Sequence, residues 1–129
     1  MGFWIFMLVM VVLIPLVMII LGAIFLNRSP KKINFFFGYR TALSMKNKDT
    51  WDYAHKLIGK IWLILGAITL IISIIPMLFV IGKDDNLIGI LSTLLVMGEL
   101  VPLFISIIPV EIGLNRKFDK NGNIKEPKD

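Results

Sequence analysis

With 129 residues, 57% of them hydrophobic, and a mean hydropathy of +0.82, the chain has too little polar surface for a soluble domain, and its composition belongs to membrane proteins. The absence of cysteine excludes disulfides, thiol chemistry and Cys-ligated zinc or iron–sulfur sites, and a lone histidine, His55, argues against a multi-His metal centre. The formal charge of +5 comes from basic residues beside apolar runs, which points to membrane orientation and contact with lipid rather than to nucleic acid.

The first apolar run, about residues 3–26, holds no charged residue and has the roughly 20-residue length that a helix needs to cross the hydrocarbon core. A cleaved signal peptide would begin with basic residues, whereas no Lys or Arg precedes Arg28, so this span is expected to be retained. Pro15 lies mid-span and is expected to kink the helix without ending it. A polar segment, 27–60, follows. Asn47 or Asp49 is placed to cap a helix starting near Thr50 or Trp51, with Asp52 in its first turn, where negative charge suits the helix dipole.

That helix is expected to continue through His55, Lys56 and Lys60 into a second span, about 61–81. The run Gly82-Lys83-Asp84-Asp85-Asn86 reads as a tight polar turn, and a third span, about 87–110, is broken by one carboxylate, Glu99. The tail 111–129 is polar, with a turn signal at Asn121-Gly122. Its acidic residues lack the spacing of a calcium-binding loop, so no metal and no cofactor is expected. The fold class that results is all-α integral membrane: three transmembrane helices in one membrane domain, 1–129, with a structured cytoplasmic loop between helices one and two.

Orientation follows from charge. Arg28, Lys31, Lys32, Arg40, Lys46, Lys48, Lys56 and Lys60 lie between spans one and two, and Arg116, Lys117, Lys120, Lys125 and Lys128 in the tail, while the second connection has Lys83 against Asp84 and Asp85. Positive-inside bias expects the first loop and the C-terminus in the cytoplasm, and the N-terminus outside.

Two polar lines run along the spans. Ser92, Glu99 and Ser106 recur every seven residues and share one helix face; Gly59, Gly66 and Ser73 repeat the spacing on span two, with Thr69 beside them. Small residues let helices approach closely, so the two faces are expected to meet, with Thr69 or Ser73 bonding Glu99. Two readings of Glu99 stay open: a proton-linked or ligand-binding group, or a packing residue that fixes how the helices meet.

The first loop carries the densest chemistry: Pro30, Asn34, three consecutive phenylalanines, Gly38, Tyr39, Arg40, Thr41, Ser44, Asn47 and Trp51. Taken singly, Arg40 reads as an orientation charge or a phosphate or carboxylate binder. Asn34 and Asn47 read as caps, Trp51 as an interfacial anchor, and His55 as an incidental exposed histidine. Taken in order, Pro30, Asn34, Gly38-Tyr39-Arg40-Thr41, Ser44, Asn47, Trp51, Ala54 and Gly59 resemble the signature of the SdpI family, bacterial plasma-membrane proteins, here in a short three-span form lacking the additional N-terminal membrane region of several members.

The resemblance implies immunity to a secreted toxic peptide, and a binding role for Pro30, Asn34, Gly38, Tyr39, Arg40, Thr41, Asn47 and Trp51. It also implies the holding of a soluble transcriptional repressor at the membrane. The partners expected are membrane lipids, a toxic peptide, such a repressor and further copies of the chain, with no nucleic acid. The alternative is a subunit of an oligomeric small transporter or channel that uses Glu99. No nucleophile–base pair supports an enzyme.

Overall fold

A computed structural model describes residues 1–31, 33 and 38–125. The uncharged N-terminal run forms α1, Gly2–Asn27, which continues through Pro15. Many of its large apolar side chains, such as Ile5, Phe6, Leu13, Leu16 and Ile20, face outward. That surface would be a liability in water and suits acyl chains. One seam is buried: Val11, Pro15, Met18, Gly22 and Phe25, at alternating spacings of four and three.

The second helix, α2, is Lys48–Phe79. Asn47 caps it reciprocally, its side chain accepting from the Thr50 N–H at 2.9 Å while Thr50 Oγ1 accepts from the Asn47 N–H at 3.1 Å. Asp49, rather than Asp52, takes the first-turn acidic position. The 32 residues of this helix measure about 48 Å at 1.5 Å per residue, well over the ~30 Å hydrocarbon core. The first turns, rich in charge up to Lys60, therefore stand clear of lipid, and the apolar part is 61–79.

Helices α1 and α2 make the most extensive helix pair, and glycines set how close they come. A Cβ added at Gly59 would lie 2.6 Å from the Leu26 nitrogen and 2.7 Å from the Gly22 carbonyl, and one at Gly22 would lie 2.8 Å from the Gly59 carbonyl. Gly66 meets Pro15 and Ile19 in the same way. This corrects the expectation that Gly59 and Gly66 would face span three.

A turn follows at 80–83, with Gly82 at φ +79°. It is tighter than expected. Asp84 and Asp85 favour a helix start, so Asp85 and Asn86 already belong to α3, Asp85–Ile105. The helix breaks at Ser106 and resumes as α4, Ile107–Lys117. Pro109 explains the break, since it has no N–H to give the Ile105 carbonyl and its ring crowds that group. The helical rod therefore runs on past Val110 as α4, which packs at the loop-bearing end. The apolar spacing Val110, Leu114, Phe118 continues past Glu111, and all three residues are buried. A short hairpin closes the described chain, with Phe118 bridged to Ile124 and a turn at Gly122, φ +85°.

The three helices long and apolar enough to cross a membrane are α1, α2 and the α3–α4 unit, and the chain is a multi-pass, all-α membrane protein. Its buried apolar side chains form two clusters. One, at the loop-bearing end, includes Phe25, Ile58, Val110 and Leu114; the other, at the far end, includes Val11, Met77, Val80 and Ile88.

Candidate functional site

At the loop-bearing end the first loop, the start of α2, α4 and the hairpin lock into one plate. Its centre is His55, fully buried. The Tyr39 backbone N–H donates to His55 Nε2 at 2.8 Å, while Nδ1 lies 2.8 Å from the Trp51 carbonyl. A backbone N–H can only donate, so Nε2 carries a lone pair and the proton is on Nδ1, donating to Trp51. The ring is held neutral in one tautomer. Phe25 meets it edge-on with centroids 4.8 Å apart, and the Trp51 ring lies at 4.3 Å.

Gly38 makes this approach possible. Its φ of +111° disfavours any side chain, and a Cβ there would come within 2.5 Å of His55 Nε2. Trp51 is buried, with its indole N–H donating to the Pro30 carbonyl at 2.9 Å. It pins the loop and is not an interfacial anchor, because the loop folds back over it.

The Tyr39 hydroxyl donates to Glu111 Oε1 at 2.7 Å, joining the loop to α4. Burial first, then the hydrogen bond and charge of Glu111, push the Tyr39 phenol above its ordinary pKa. Thr41 and Ser44 form a reciprocal turn: the Thr41 N–H donates to Ser44 Oγ at 2.8 Å and the Ser44 N–H to Thr41 Oγ1 at 3.3 Å. Thr50 closes it onto α2 by donating to the Ser44 carbonyl at 3.0 Å. Asn47, besides capping α2, donates from Nδ2 to the Gly122 carbonyl at 2.7 Å, tying in the hairpin.

Arg40 differs from its neighbours. Its side chain is exposed, and among the described residues it has no hydrogen-bond or ion-pair partner. Asn34 and the phenylalanines 35–37 lie outside the described residues. At the rim, Lys48 pairs with Asp52 at 2.9 Å and Ser29 donates to the same carboxylate; an ion pair this exposed contributes little.

The second constellation lies inside the membrane-crossing part, where the polar line of α3 meets α2 at three successive levels. Ser92 contacts Met77 Sδ at 3.4 Å, Ser73 donates to Glu99 Oε2 at 2.8 Å, and the Trp62 indole N–H donates to Ser106 Oγ at 2.9 Å. Thr69 shares a cavity wall with Glu99. The partners of this line are therefore Met77, Ser73 and Trp62 rather than a glycine face. Among the described residues no group of three or more His, Asp or Glu is placed to hold a metal ion.

The model of the SdpI/YfhL protein family matches residues 31–110. The chain belongs to that family. No curated protein and no solved structure matches it. The match reaches past the loop signature through α2, α3 and the start of α4, so in this SdpI-family protein it takes in Tyr39, Trp51, His55 and the whole Ser92–Glu99–Ser106 line, while Pro30, Glu111 and Gly122 of the plate lie outside it.

Of the signature residues, Pro30, Gly38, Tyr39, Thr41, Asn47 and Trp51 are brought together, and each helps to hold the plate. The expected binding set leaves out His55, Ser44, Glu111 and Gly122, and His55, read as incidental and exposed, is buried. A signal for His55 existed: it follows Trp51 by four residues, which places both on one face of the helix. Glu111 and Gly122 are joined to the loop only by the fold of the chain beyond the third span.

Proposed function

We propose that this SdpI-family protein confers immunity on a bacterial cell against a secreted, membrane-active toxic peptide, and that it acts by binding, not by catalysis. In this reading it resides in the plasma membrane with the loop-bearing plate in the cytoplasm and the N-terminus outside. It engages the peptide within the bilayer, and the plate passes the signal to a soluble partner such as a transcriptional repressor.

Family membership supports the immunity role. The observation that carries the binding reading is the contrast within the signature: its other described residues hold the plate, and Arg40 is exposed with no partner among the described residues. A guanidinium of this kind suits a carboxylate or phosphate on a partner.

The test is survival. A toxin-sensitive bacterium expressing the chain is challenged with secreted antimicrobial peptides, alongside a strain with the empty vector. Wild type is expected to protect against at least one of them. Arg40→Ala is expected to insert normally, because the side chain is exposed and holds none of the described residues in place, and to lose the response passed to the soluble partner. Equal killing of both strains across the peptides overturns the immunity reading. Full function in Arg40→Ala removes Arg40 from it.

A further inference from the structure

Part-way along the crossing, between α2 and α3, lies a cavity of about 300 Å3 bordered by Thr69, Ile72, Ser73, Leu94, Gly98 and Glu99. This is the lower end of the range for small-molecule pockets, about 300–1,000 Å3. Ile72, Leu94 and Gly98 are exposed on the outer surface of the helices, so the cavity opens sideways, toward lipid. Its wall is apolar except on the side of Thr69, Ser73 and Glu99.

Three features of this groove are unexplained by packing. Glu99 is 2% exposed. Ser73 satisfies its Oε2, but Oε1 is buried with no hydrogen-bond partner among the described residues. Buried polar atoms are ordinarily paired, and in hydrocarbon no water is at hand to make up the loss. Second, Pro102 borders the same groove and has no N–H to return to the Gly98 carbonyl, four residues earlier. Third, a Cβ added at Gly98 would meet no atom within 4 Å. Unlike Gly22 and Gly59, this glycine serves no helix contact and leaves a gap open. A buried acceptor without a partner among the described residues thus borders a space that the protein does not fill.

We propose that this groove is a binding site, entered from the lipid, for an N–H donor, an amine or amide, carried on an apolar body. Glu99 Oε1 is the acceptor and Ser73 holds the carboxyl in position. An amine can take the Glu99 proton and then donate N–H to the carboxylate left behind; an ether or ester is too weak a base and has no N–H to give, and a quaternary ammonium would bring charge without a hydrogen bond. The inference does not depend on the immunity reading, and the two fail separately.

The full chain, reconstituted in phosphatidylcholine vesicles, is treated with dicyclohexylcarbodiimide, an apolar reagent that reaches carboxyls from the bilayer. The Glu99 oxygen bonds to the central carbon of the reagent while the carboxyl proton passes to one of its nitrogens. The acyl group then migrates to the other nitrogen, leaving a stable N-acylurea that mass spectrometry locates. Wild type is expected to be modified at Glu99, and Glu99→Gln to be unmodified at that position.

Dodecylamine is expected to slow the modification by about tenfold once it fills most sites, while dodecyl methyl ether and dodecyltrimethylammonium leave the rate unchanged. Gly98→Phe, whose side chain has room in the groove, is expected to lose the modification while keeping its helical content. The proposal is overturned if wild-type Glu99 is not modified, if dodecylamine gives no protection, or if the ether or the quaternary ammonium protects as well as the amine. None of these readouts involves toxin survival.

Discussion

The buried N–H of Tyr39 is satisfied by a ring nitrogen, so the protonation state of His55 governs whether the loop stays docked. Burial pushes the His55 pKa below its ordinary value near 6.5; the Trp51 carbonyl and Asp52 oppose this and Lys48 adds to it. The ring belongs to the charged stretch of α2 ahead of the apolar run. Protonation would set an N–H against the Tyr39 N–H. The docked form therefore binds fewer protons than the undocked one, and docking is fully stable above about pH 6.5 and weakens as pH falls from there through the depressed value. Hydrogen exchange at the Tyr39 amide is expected to accelerate on acidification over that window. His55→Leu, which leaves the N–H buried and unpaired, is expected to cost about 1–3 kcal/mol and to give fast exchange at every pH. Exchange in wild type that ignores pH would remove His55 as the switch. The Asn47 cap is legible in sequence because its partner is three residues away. The burial of Trp51 and His55 is not, because it depends on a loop returning over the helix, and periodicity along the helix carries no record of that.

Between helices, two glycines of the same type serve opposite ends. Gly59 touches the backbone of α1, with an added Cβ 2.6 Å from the Leu26 nitrogen, whereas Gly98 has open space around it. Gly59→Ala forces backbone apart and is expected to cost about 1–3 kcal/mol, the usual range for overpacking. Gly98→Ala is expected to be neutral or to stabilise by up to about 1 kcal/mol through helix propensity. Thermal unfolding in detergent compares the two directly, and equal effects would mean that the α1–α2 crossing does not depend on this contact. The same helices show why the polar line on α3 and its Ser73 partner were legible while the neighbour of Gly59 and Gly66 was not. Seven-residue spacing drifts by about 20° per repeat on a straight helix. From Gly59 to Ser73 the face therefore turns by about 40°, away from α1 and toward α3. Gly59 and Gly66 meet α1, and Ser73 reaches Glu99. A shared spacing identified one stripe, but the twist divides it between two neighbours.

At the scale of the molecule, nearly all the mass outside lipid gathers at one end. The plate holds the first loop, the projecting start of α2, α4 and the hairpin, and it carries most of the basic residues; the opposite end is a turn of a few residues with Lys83 against Asp84 and Asp85. Charge bias predicts that the plate lies on the cytoplasmic side, where the chain has only a short turn, rather than a basic, hydrogen-bonded assembly, to translocate. The chain has no cysteine, so each introduced thiol reports one position. Lys46, Lys83 and Lys120 are all exposed and tolerate replacement. With a membrane-impermeant maleimide, Lys83→Cys is expected to react in intact cells, and Lys46→Cys and Lys120→Cys only after permeabilisation. The reverse pattern would place the plate outside and abolish any inward signal from Arg40. It would leave the groove at Glu99 untouched, because a site entered from lipid near mid-membrane is reached from either orientation.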